Sequence, residues 1–287
     1  MFGVLGPNGA GKTTLIKILS TLILPSDGEA YVNGYNILRE EKEVKASIGL
    51  VSCDERSFYW RLTGRQNLRF FALLNNLNYS AAEKRINSLL SLLEIEPIAD
   101  RSFKDLSSGM RQRLAIARGL LTDPEIIFLD EPTRNLDFHS ARKIKEFIKR
   151  EIAFRRGKTI LYATNNLLEA EEMCNRIIIL HKGSLKLCGE LREMKRVESY
   201  NLFIKDCSHE FINKFRKLNL LKVVGQPQFN SEKGEYNFKI ETQSISEVIR
   251  WVIEKGGEVT GCVPVERKLD EIFSKVTGRD EDYLFQE

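Results

Sequence analysis

A glycine-rich segment near the start of the chain constrains the fold more than any other feature. Residues 6–14 read GPNGAGKTT and fit the phosphate-loop pattern G-x-x-x-x-G-K-[ST]. Glycines let consecutive backbone N–H groups converge on a phosphate, Lys12 faces the β and γ oxygens, and Thr13 offers a hydroxyl to Mg²⁺. The apolar runs on either side predict a buried strand before the loop and a helix after it. The segment predicts a nucleoside triphosphate site built from Gly6, Pro7, Asn8, Gly9, Ala10, Gly11, Lys12, Thr13 and Thr14.

Two adjacent carboxylates end a second apolar run. Residues 125–131 read EIIFLDE and are followed by Pro132. A buried strand with this ending presents Asp130 and Glu131 at its carboxyl end. That arrangement suits Mg²⁺ coordination by the first and activation of a water molecule by the second. A strand that simply ends in two solvated acids is the alternative, and the phosphate loop earlier in the chain argues against it.

A serine- and glycine-containing segment precedes another predicted helix. Residues 106–110 read LSSGM, and the helix is predicted to begin near Gly109. Small residues at a helix N-terminus can form a second anion site, and a plain N-cap fits the same pattern equally well. Further along, Ser80 is predicted to cap a helix, residues 140–156 to form an amphipathic helix, and residues 244–247 to form a capping box.

Composition excludes several classes of protein. The chain has 287 residues, enough for two domains, and its net charge of +4 is too balanced to indicate nucleic acid as the main partner. Its five cysteines are scattered and form no C-x-x-C pair, so free thiols in a cytosolic protein are the simplest interpretation. No stretch approaches the roughly 18 apolar residues of a membrane-spanning helix. Any membrane association is therefore expected to come through a partner.

The periodicity of the sequence predicts two domains. Over residues 1–195, apolar strands alternate with helices, which favours an α/β domain with a largely parallel sheet and a helical insert over about residues 54–121. Its strands are predicted over residues 2–5, 29–37 with a glycine break, 48–52, 125–131, 159–164 and 176–180. From residue 199 to 276 the predicted order β-α-β-β-α-β-α favours a small α+β domain of the ferredoxin-like type, followed by a polar tail over residues 277–287.

Together the phosphate loop, LSSGMRQR, FLDEP and RNLD resemble the ATP-binding subunits of ABC transporters, over residues 1 to about 195. The resemblance implies a P-loop NTPase fold with ATP and Mg²⁺ as ligands. It makes residues 6–14 the Walker A loop, Asp130 the Walker B aspartate, Glu131 the catalytic base, and Thr13 and Asp130 the metal ligands. The signature that binds ATP across a dimer falls on Ser107, Ser108, Gly109 and Met110, and Asp137 falls in the D-loop.

Ser108 and Met110 depart from the family's signature, and three further features depart from the family pattern. Cys53 stands where the family has a glutamine that contacts Mg²⁺, and a thiol is a poor ligand for this hard cation. The neighbouring Asp54 or Glu55 is the alternative ligand, acting through a water molecule. Asn165 stands at the switch position of the family's histidine, where it can donate a hydrogen bond without carrying a proton charge. Slow turnover is expected from these two changes. The family's N-terminal strands are expected to be missing from this sequence, and an upstream start is expected.

The segment over residues 54–68 and the C-terminal KLDEIFSKVTGR are similar to the drug- and antibiotic-export branch of the family. That branch pairs separate ATPase and permease chains. The resemblance implies an integral membrane permease as partner, a homodimer or a heterodimer with another ATPase chain, and a cytoplasmic location on the inner face of the cell membrane. Phe58, Tyr59 and Trp60 are predicted to be exposed anchors for the permease, with local packing as the alternative. No nucleic acid partner is expected.

Two other functions remain open from the sequence. A nucleotide-binding regulatory subunit with little hydrolysis is suggested by Cys53 and Asn165, whereas retention of Asp130 and Glu131 argues against it. A soluble ABC-type ATPase that acts on DNA or the ribosome is the second. Its repair members carry a long coiled coil between the two Walker motifs, for which this chain has no room, and its translation members carry two cassettes per chain.

Overall fold

The computed structural model describes residues 1–52, 57–195, 199–205, 207–265 and 267–278. Residue contacts divide the chain into two units, Met1–Leu191 and Arg192–Glu287. The one-turn helix over Leu191–Met194 lies at this boundary. Each unit has its own layer structure and its own buried core.

A six-stranded sheet forms the centre of the first unit. The strands of this unit are β1 (Phe2–Leu5), β2 (Tyr31–Val32), β3 (Tyr35–Asn36), β4 (Ile48–Ser52), β5 (Ile126–Asp130), β6 (Thr159–Thr164), β7 (Arg176–His181) and β8 (Ser184–Glu190). The sheet order is β4-β5-β6-β1-β7-β8, in which the first five strands are parallel and β8 is antiparallel to β7. The central strands are apolar on both faces, as strands of a sheet covered on both sides must be. The predicted strands over Phe2–Leu5, Ile48–Ser52 and Thr159–Thr164 are confirmed.

The helices of the first unit cover this sheet or form the insert. They are α1 (Lys12–Leu19), α2 (Glu41–Ser47), α3 (Gly64–Leu74), α4 (Tyr79–Leu92), α5 (Ser108–Gly119), α6 (Phe138–Phe147) and α7 (Leu167–Met173). The helix at the boundary between the units, Leu191–Met194, is α8. Helix α6 continues directly into a π-helical segment over Ile148–Arg155. Helices α3 and α4 pack against each other and against α5, and Leu68 of α3 and Leu89 of α4 are fully buried.

The position of α5 depends on a close approach between two glycines. A Cβ atom on Gly49 of β4 would lie 2.1 Å from the carbonyl oxygen of Gly119, the last residue of α5. Only a glycine at this position lets the helix end come so near to the sheet. This contact fixes the helix whose opposite end carries the serine- and glycine-containing segment of residues 107–110.

Three local predictions were wrong. The segment over residues 29–37 is a hairpin of β2 and β3, because Asn33 and Gly34 both adopt positive φ angles of 53° and 84° and turn the chain back. Asn78 rather than Ser80 caps α4, through a bond from the Ala81 N–H. Ser244 precedes α10 (Ile245–Glu254) but makes no capping hydrogen bond.

The predicted helix over residues 140–156 starts two residues earlier than expected. Asp137 caps α6 by accepting a hydrogen bond from the Ser140 N–H at 2.9 Å. At the other end, Gly157 follows the π-helical segment with a φ of 62°, which terminates the helical run as predicted.

The second unit is an antiparallel sheet packed against two helices. Its elements are β9 (Ser199–Lys205), α9 (His209–Arg216), β10 (Lys222–Val223), β11 (Gln228–Asn230), β12 (Glu235–Glu241), α10, β13 (Glu258–Val265) and α11 (Leu269–Thr277). The sheet order is β10-β12-β9-β13, with β11 also paired to β12. Its core contains Leu202, Ile204, Phe215, Phe238 and Val252. The structure has one strand more than the predicted order, because residues 222–230 form two short strands.

Candidate nucleotide-binding site

The predicted phosphate-binding and carboxylate residues meet at one edge of the parallel sheet. Leu5 of β1 pairs with Thr164 of β6, and Asp130 of β5 pairs with Ala163 of the same strand. Because these strands run in the same direction, the residues that follow them emerge side by side at their carboxyl ends. That edge is where ligands bind in open α/β sheets.

Glycines shape the phosphate loop between β1 and α1. Gly9 and Gly11 adopt φ angles of 78° and 104°, which favour glycine, and Gly11 is the N-cap residue of α1. A Cβ atom on Gly6 would lie 2.5 Å from the carbonyl oxygen of Leu180. The loop therefore packs closely against β7. It directly precedes the N-terminus of α1, where free backbone N–H groups are suited to bind a phosphate.

Lys12 is buried within this loop. Its side chain is 4% exposed, and its Nζ donates to the carbonyl oxygens of Gly6, at 2.8 Å, and Pro7, at 3.3 Å. The same Nζ lies 3.4 Å from Oε1 of Glu131. The ammonium group is thus held at the mouth of the loop beside the predicted catalytic carboxylate.

Thr13 and Asp130, the two predicted metal ligands, are in direct contact. The Thr13 hydroxyl donates to Oδ2 of Asp130 at 2.8 Å. The other carboxylate oxygen, Oδ1, is buried and has no hydrogen-bond partner among the described residues. Burial raises the pKa of the Asp130 carboxyl, against the opposing effect of the Thr13 hydrogen bond. A buried oxygen without a partner next to a hydroxyl fits a hard cation such as Mg²⁺. Within the described ranges, no group of three or more His, Cys, Asp or Glu side chains is placed to hold a metal ion.

Glu131 occupies a strained backbone position directly after β5. Its φ angle of 49° lies in the left-handed region, which costs a non-glycine residue about 1–3 kcal/mol and persists only where the surroundings fix it. Its N–H donates to the carbonyl oxygen of Ala163 at 2.9 Å. Its Oε2 accepts from Nη1 of Arg134 at 3.0 Å, while its Oε1 faces Lys12. The carboxylate is therefore oriented by two cations.

Asn165, the switch residue, contacts the phosphate loop. It follows β6 directly, and its Nδ2 donates to Oδ1 of Asn8 at 3.1 Å. The other departure from the family pattern, Cys53, lies outside the described residues, as do Asp54 and Glu55. The strand that leads to it ends at Ser52, which pairs with Asp130.

The predicted signature and D-loop residues are neighbours of each other. The Ser107 hydroxyl caps α5 by accepting from the Met110 N–H at 3.3 Å, and Ser108 is the first residue of that helix. A Cβ atom on Gly109 would lie 3.0 Å from Oγ of Ser140, whose N–H is bound by Asp137. Across the described part of the chain, no hydrogen bond or ion pair joins these residues to the phosphate loop.

A buried cluster behind the site was not predicted. Glu169 of α7 is 8% exposed, and its carboxylate accepts hydrogen bonds from the hydroxyls of Thr133, Tyr162 and Thr164. Burial, with the charge of Glu169 beside it, raises the pKa of the Tyr162 phenol well above its usual range, so that Tyr162 stays a donor. The sequence carries only a weak signal for this cluster, namely Asn166 three residues before Glu169 in a capping pattern.

Comparison with known proteins decides the family. The model of the family described as ABC transporter matches residues 1–134. The daunorubicin resistance ATP-binding protein DrrA3 of Streptomyces coeruleorubidus is 32% identical over 280 residues, which cover 97% of this chain and 87% of that protein. The chain belongs to the ATP-binding subunits of ABC transporters. The ABC transporter ATP-binding protein NatA of Bacillus subtilis (strain 168) is 37% identical over 202 residues, or 69% of this chain and 81% of that protein.

Solved structures of ABC ATPases confirm the predicted P-loop NTPase fold. The dimeric post-hydrolysis structure of the ATP-binding cassette MJ0796, bound to ADP and Pi, is 28% identical with a TM-score of 0.59, over 67% of this chain and 85% of that one. CbiO1 from Clostridium perfringens, part of the transporter complex CbiONQ, is 26% identical with a TM-score of 0.60, over 76% of this chain and 83% of that one. The chain is thus an ATPase of the ABC family that binds ATP.

Among the described helices of this ABC ATPase, none is both long and apolar enough to cross a membrane.

The three aromatic residues that were predicted to anchor a permease, within the helical insert, differ in exposure. Phe58 is 5% exposed and stacks on Phe103 with ring centroids 4.6 Å apart, so the prediction that Phe58 is exposed was wrong. Tyr59 and Trp60 are 50% and 45% exposed. Local packing accounts for Phe58, whereas its two neighbours present half of their surface to solvent.

Proposed function

We propose that this ABC ATPase powers a membrane exporter, and that closure of a dimer around ATP drives transport. The observation that carries the proposal is the shared sheet edge, where Lys12 and Glu131 are 3.4 Å apart and Thr13 and Asp130 are hydrogen-bonded. Export is supported by the full-length relatives, two of which are daunorubicin resistance ATP-binding proteins.

In the proposed reaction, a water molecule attacks the γ-phosphorus of ATP as the bond to the bridging β–γ oxygen breaks. Glu131 accepts the proton that this water loses. Lys12 and the loop N–H groups bind the phosphate oxygens, and Asn165 donates a hydrogen bond to a γ-phosphate oxygen. A Mg²⁺ held by Thr13 and Asp130 would offset the negative charge of the phosphates.

The signature residues complete the site from a second copy of the chain. Among the described residues, Ser107 and Gly109 form no hydrogen bond or ion pair with the phosphate loop, yet their helix N-terminus suits a phosphate. This chain carries both halves of such a site, so two copies related by a twofold axis would bury two ATP molecules. Neither copy alone has a complete site, and hydrolysis through Glu131 would reopen the dimer.

We further propose that the dimer works beneath an integral membrane permease, on the cytoplasmic face of the cell membrane. The half-exposed rings of Tyr59 and Trp60 are suited to contact an apolar permease segment.

We propose that the two domains span residues 1–195 and residues 199–276, as the sequence predicts. The sheet order of the second unit supports a ferredoxin-like domain, which we propose to be regulatory or dimer-supporting.

The mass of the protein with and without ATP tests the dimer. We expect the Glu131→Gln variant, which should bind ATP without hydrolysing it, to shift from monomer to dimer in analytical ultracentrifugation when Mg-ATP is added. The matched control adds Ser107→Asp in the same chain. Aspartate still caps a helix, but its charge would repel the phosphates of the partner's ATP. A Glu131→Gln protein that remains monomeric, or a control that dimerises equally well, would contradict the proposal.

The switch position provides a prediction about rate. Replacing Asn165 by histidine introduces a hydrogen-bond donor that can be positively charged beside the γ-phosphate. Losing one well-placed donor to developing charge can lower the rate by roughly 10²–10³-fold. We expect Asn165→His to raise kcat for ATP, with a further gain when Cys53→Gln is added. Asn165→Ala is the control and should lower kcat. Steady-state phosphate release measures all of these, and unchanged turnover in Asn165→His would show that this position does not limit hydrolysis.

A further inference from the structure

Glu169 connects the two segments that carry the proposed hydrolytic residues. Its Oε1 accepts from the hydroxyl of Thr133, two residues after Glu131. Its Oε2 accepts from the hydroxyl of Thr164 at 2.9 Å, one residue before Asn165. A single buried carboxylate therefore links the loop after β5 to the turn after β6.

The turn that carries Asn165 is fixed through Thr164. The Thr164 hydroxyl donates to Glu169 and at the same time accepts from the Asn166 N–H at 3.0 Å. The Asn166 side chain in turn accepts from the Glu169 N–H at 3.2 Å. Asn165 thus lies between two residues that are both tied to Glu169, with its amide directed to Asn8 of the phosphate loop.

The loop that carries Glu131 needs such a support. The φ angle of Glu131 is 49°, and a strained residue keeps its conformation only where neighbouring contacts determine it. The Glu131 N–H donates to the carbonyl oxygen of Ala163 in β6. Two residues later, the Thr133 hydroxyl donates to Glu169 and attaches the same loop to α7. Without the second contact, this loop would lose its hydrogen bond to α7, and Glu131 would keep its bond to Ala163 and its contacts with Lys12 and Arg134.

The surroundings of Glu169 show that its role is internal. The side chain is buried, and the three hydroxyls of Thr133, Tyr162 and Thr164 all donate to it. It makes no ion pair with a described lysine or arginine, unlike Glu172 on the same helix, which pairs with Lys145. A buried carboxylate held by hydroxyls alone positions the segments that bear those hydroxyls.

We propose that Glu169 is a positioning residue for ATP hydrolysis, which holds Glu131 and Asn165 towards the same phosphate through Thr133 and Thr164. The inference rests on the proposed role of Glu131 as the base. It assigns Glu169 no contact with ATP. Its loss should therefore lower kcat and leave the KM for ATP unchanged.

A pair of substitutions at Thr133 tests this without removing buried charge. Thr133→Val keeps the shape but removes the hydroxyl, and Thr133→Ser keeps the hydroxyl. Since a misplacement of about 1 Å can cost roughly 10²-fold in rate, we expect Thr133→Val to lower kcat about 10- to 100-fold, with KM and Tm unchanged. Thr133→Ser should keep the wild-type kcat. Glu169→Gln should resemble Thr133→Val, and Glu172→Gln is the control on the same helix.

The double variant Thr133→Val/Glu169→Gln should lose no more activity than the more affected single variant, because both remove the same contact. Wild-type kcat in Thr133→Val, or a fall in kcat and Tm that Thr133→Ser does not avoid, overturns the inference. Glu131→Gln is measured beside them. If Glu131→Gln is inactive and Thr133→Val is fully active, the positioning role alone fails. If Glu131→Gln hydrolyses ATP normally, the proposed mechanism itself fails.

Discussion

Replacing Glu131 by glutamine is expected to lower ATP turnover about 10²–10⁴-fold, the contribution typical of a general base. Glutamine has nearly the same shape, but its amide cannot accept the proton of the attacking water at neutral pH. Since Lys12 keeps its hydrogen bonds with the loop and Thr13 keeps its hydrogen bond with Asp130, ATP should still bind. Steady-state phosphate release gives the turnover, and equilibrium binding of labelled ATP gives the affinity.

Glu146→Gln is a suitable control for this change. Glu146 is an exposed residue of α6 that pairs with Arg142 on its own helix, so its neutralisation removes one surface charge and a weak ion pair. Its turnover should equal that of the wild type. Turnover in Glu131→Gln within a few-fold of the wild type would mean that another group activates the water.

Replacing Lys12 by alanine is expected to weaken ATP binding about 10- to 100-fold, because charge-assisted hydrogen bonds to phosphate contribute about 1.5–3 kcal/mol. Turnover should fall with binding, since the same cation faces the phosphate that is transferred. The structure adds a second reason. The Lys12 ammonium holds the carbonyl oxygens of Gly6 and Pro7 and faces Glu131, so its removal also loosens the loop.

Lys17→Ala is the matched control for Lys12. Lys17 lies in the last turn of the same helix and is exposed, so its loss changes the net charge equally without touching the loop. Labelled-ATP binding to both variants separates a local effect from a change in overall charge. Equal affinities in the two variants would show that Lys12 does not bind phosphate.

The parts of the fold that the sequence predicted are those with a local signal. Continuous apolar runs in the sequence predicted β1, β4 and β6 with the ends that the structure has. Strands buried on both faces show such runs because they have no polar alternation. Strand β8 was missed because it is an edge strand whose side chains are mostly exposed and carry no apolar pattern. The Asn33–Gly34 turn had a clear signal for a hairpin, and the single predicted strand ignored it.

In the site too, the residues with a local sequence signal were predicted and those without one were missed. The phosphate loop and the adjacent carboxylates have fixed spacing along the chain, so their types and positions were predictable, and their roles remain predictions. The Glu169 cluster was not predictable, since Thr133 lies 36 residues away in sequence and only the adjacency of β5 and β6 brings it near. Phe58 was predicted to be exposed together with Tyr59 and Trp60, and only the fold reveals that it stacks on Phe103.

We propose that each ATP lies between the phosphate loop of one copy and the signature residues of another. This arrangement is tested most directly by mixing two inactive variants, Lys12→Ala and Ser107→Asp, and measuring ATP hydrolysis. In a mixed dimer, one site combines the intact loop of one copy with the intact signature of the other. If subunits pair at random in a twofold dimer with independent sites, about a quarter of the wild-type activity should return.

Ser107→Asn serves as the control in this mixing experiment, because asparagine caps a helix without adding charge, and it should stay active. Recovery of activity in the mixture of Lys12→Ala and Ser107→Asp is the result that the composite site predicts. A mixture no more active than either variant alone, or a Ser107→Asp protein as active as the wild type, would contradict it.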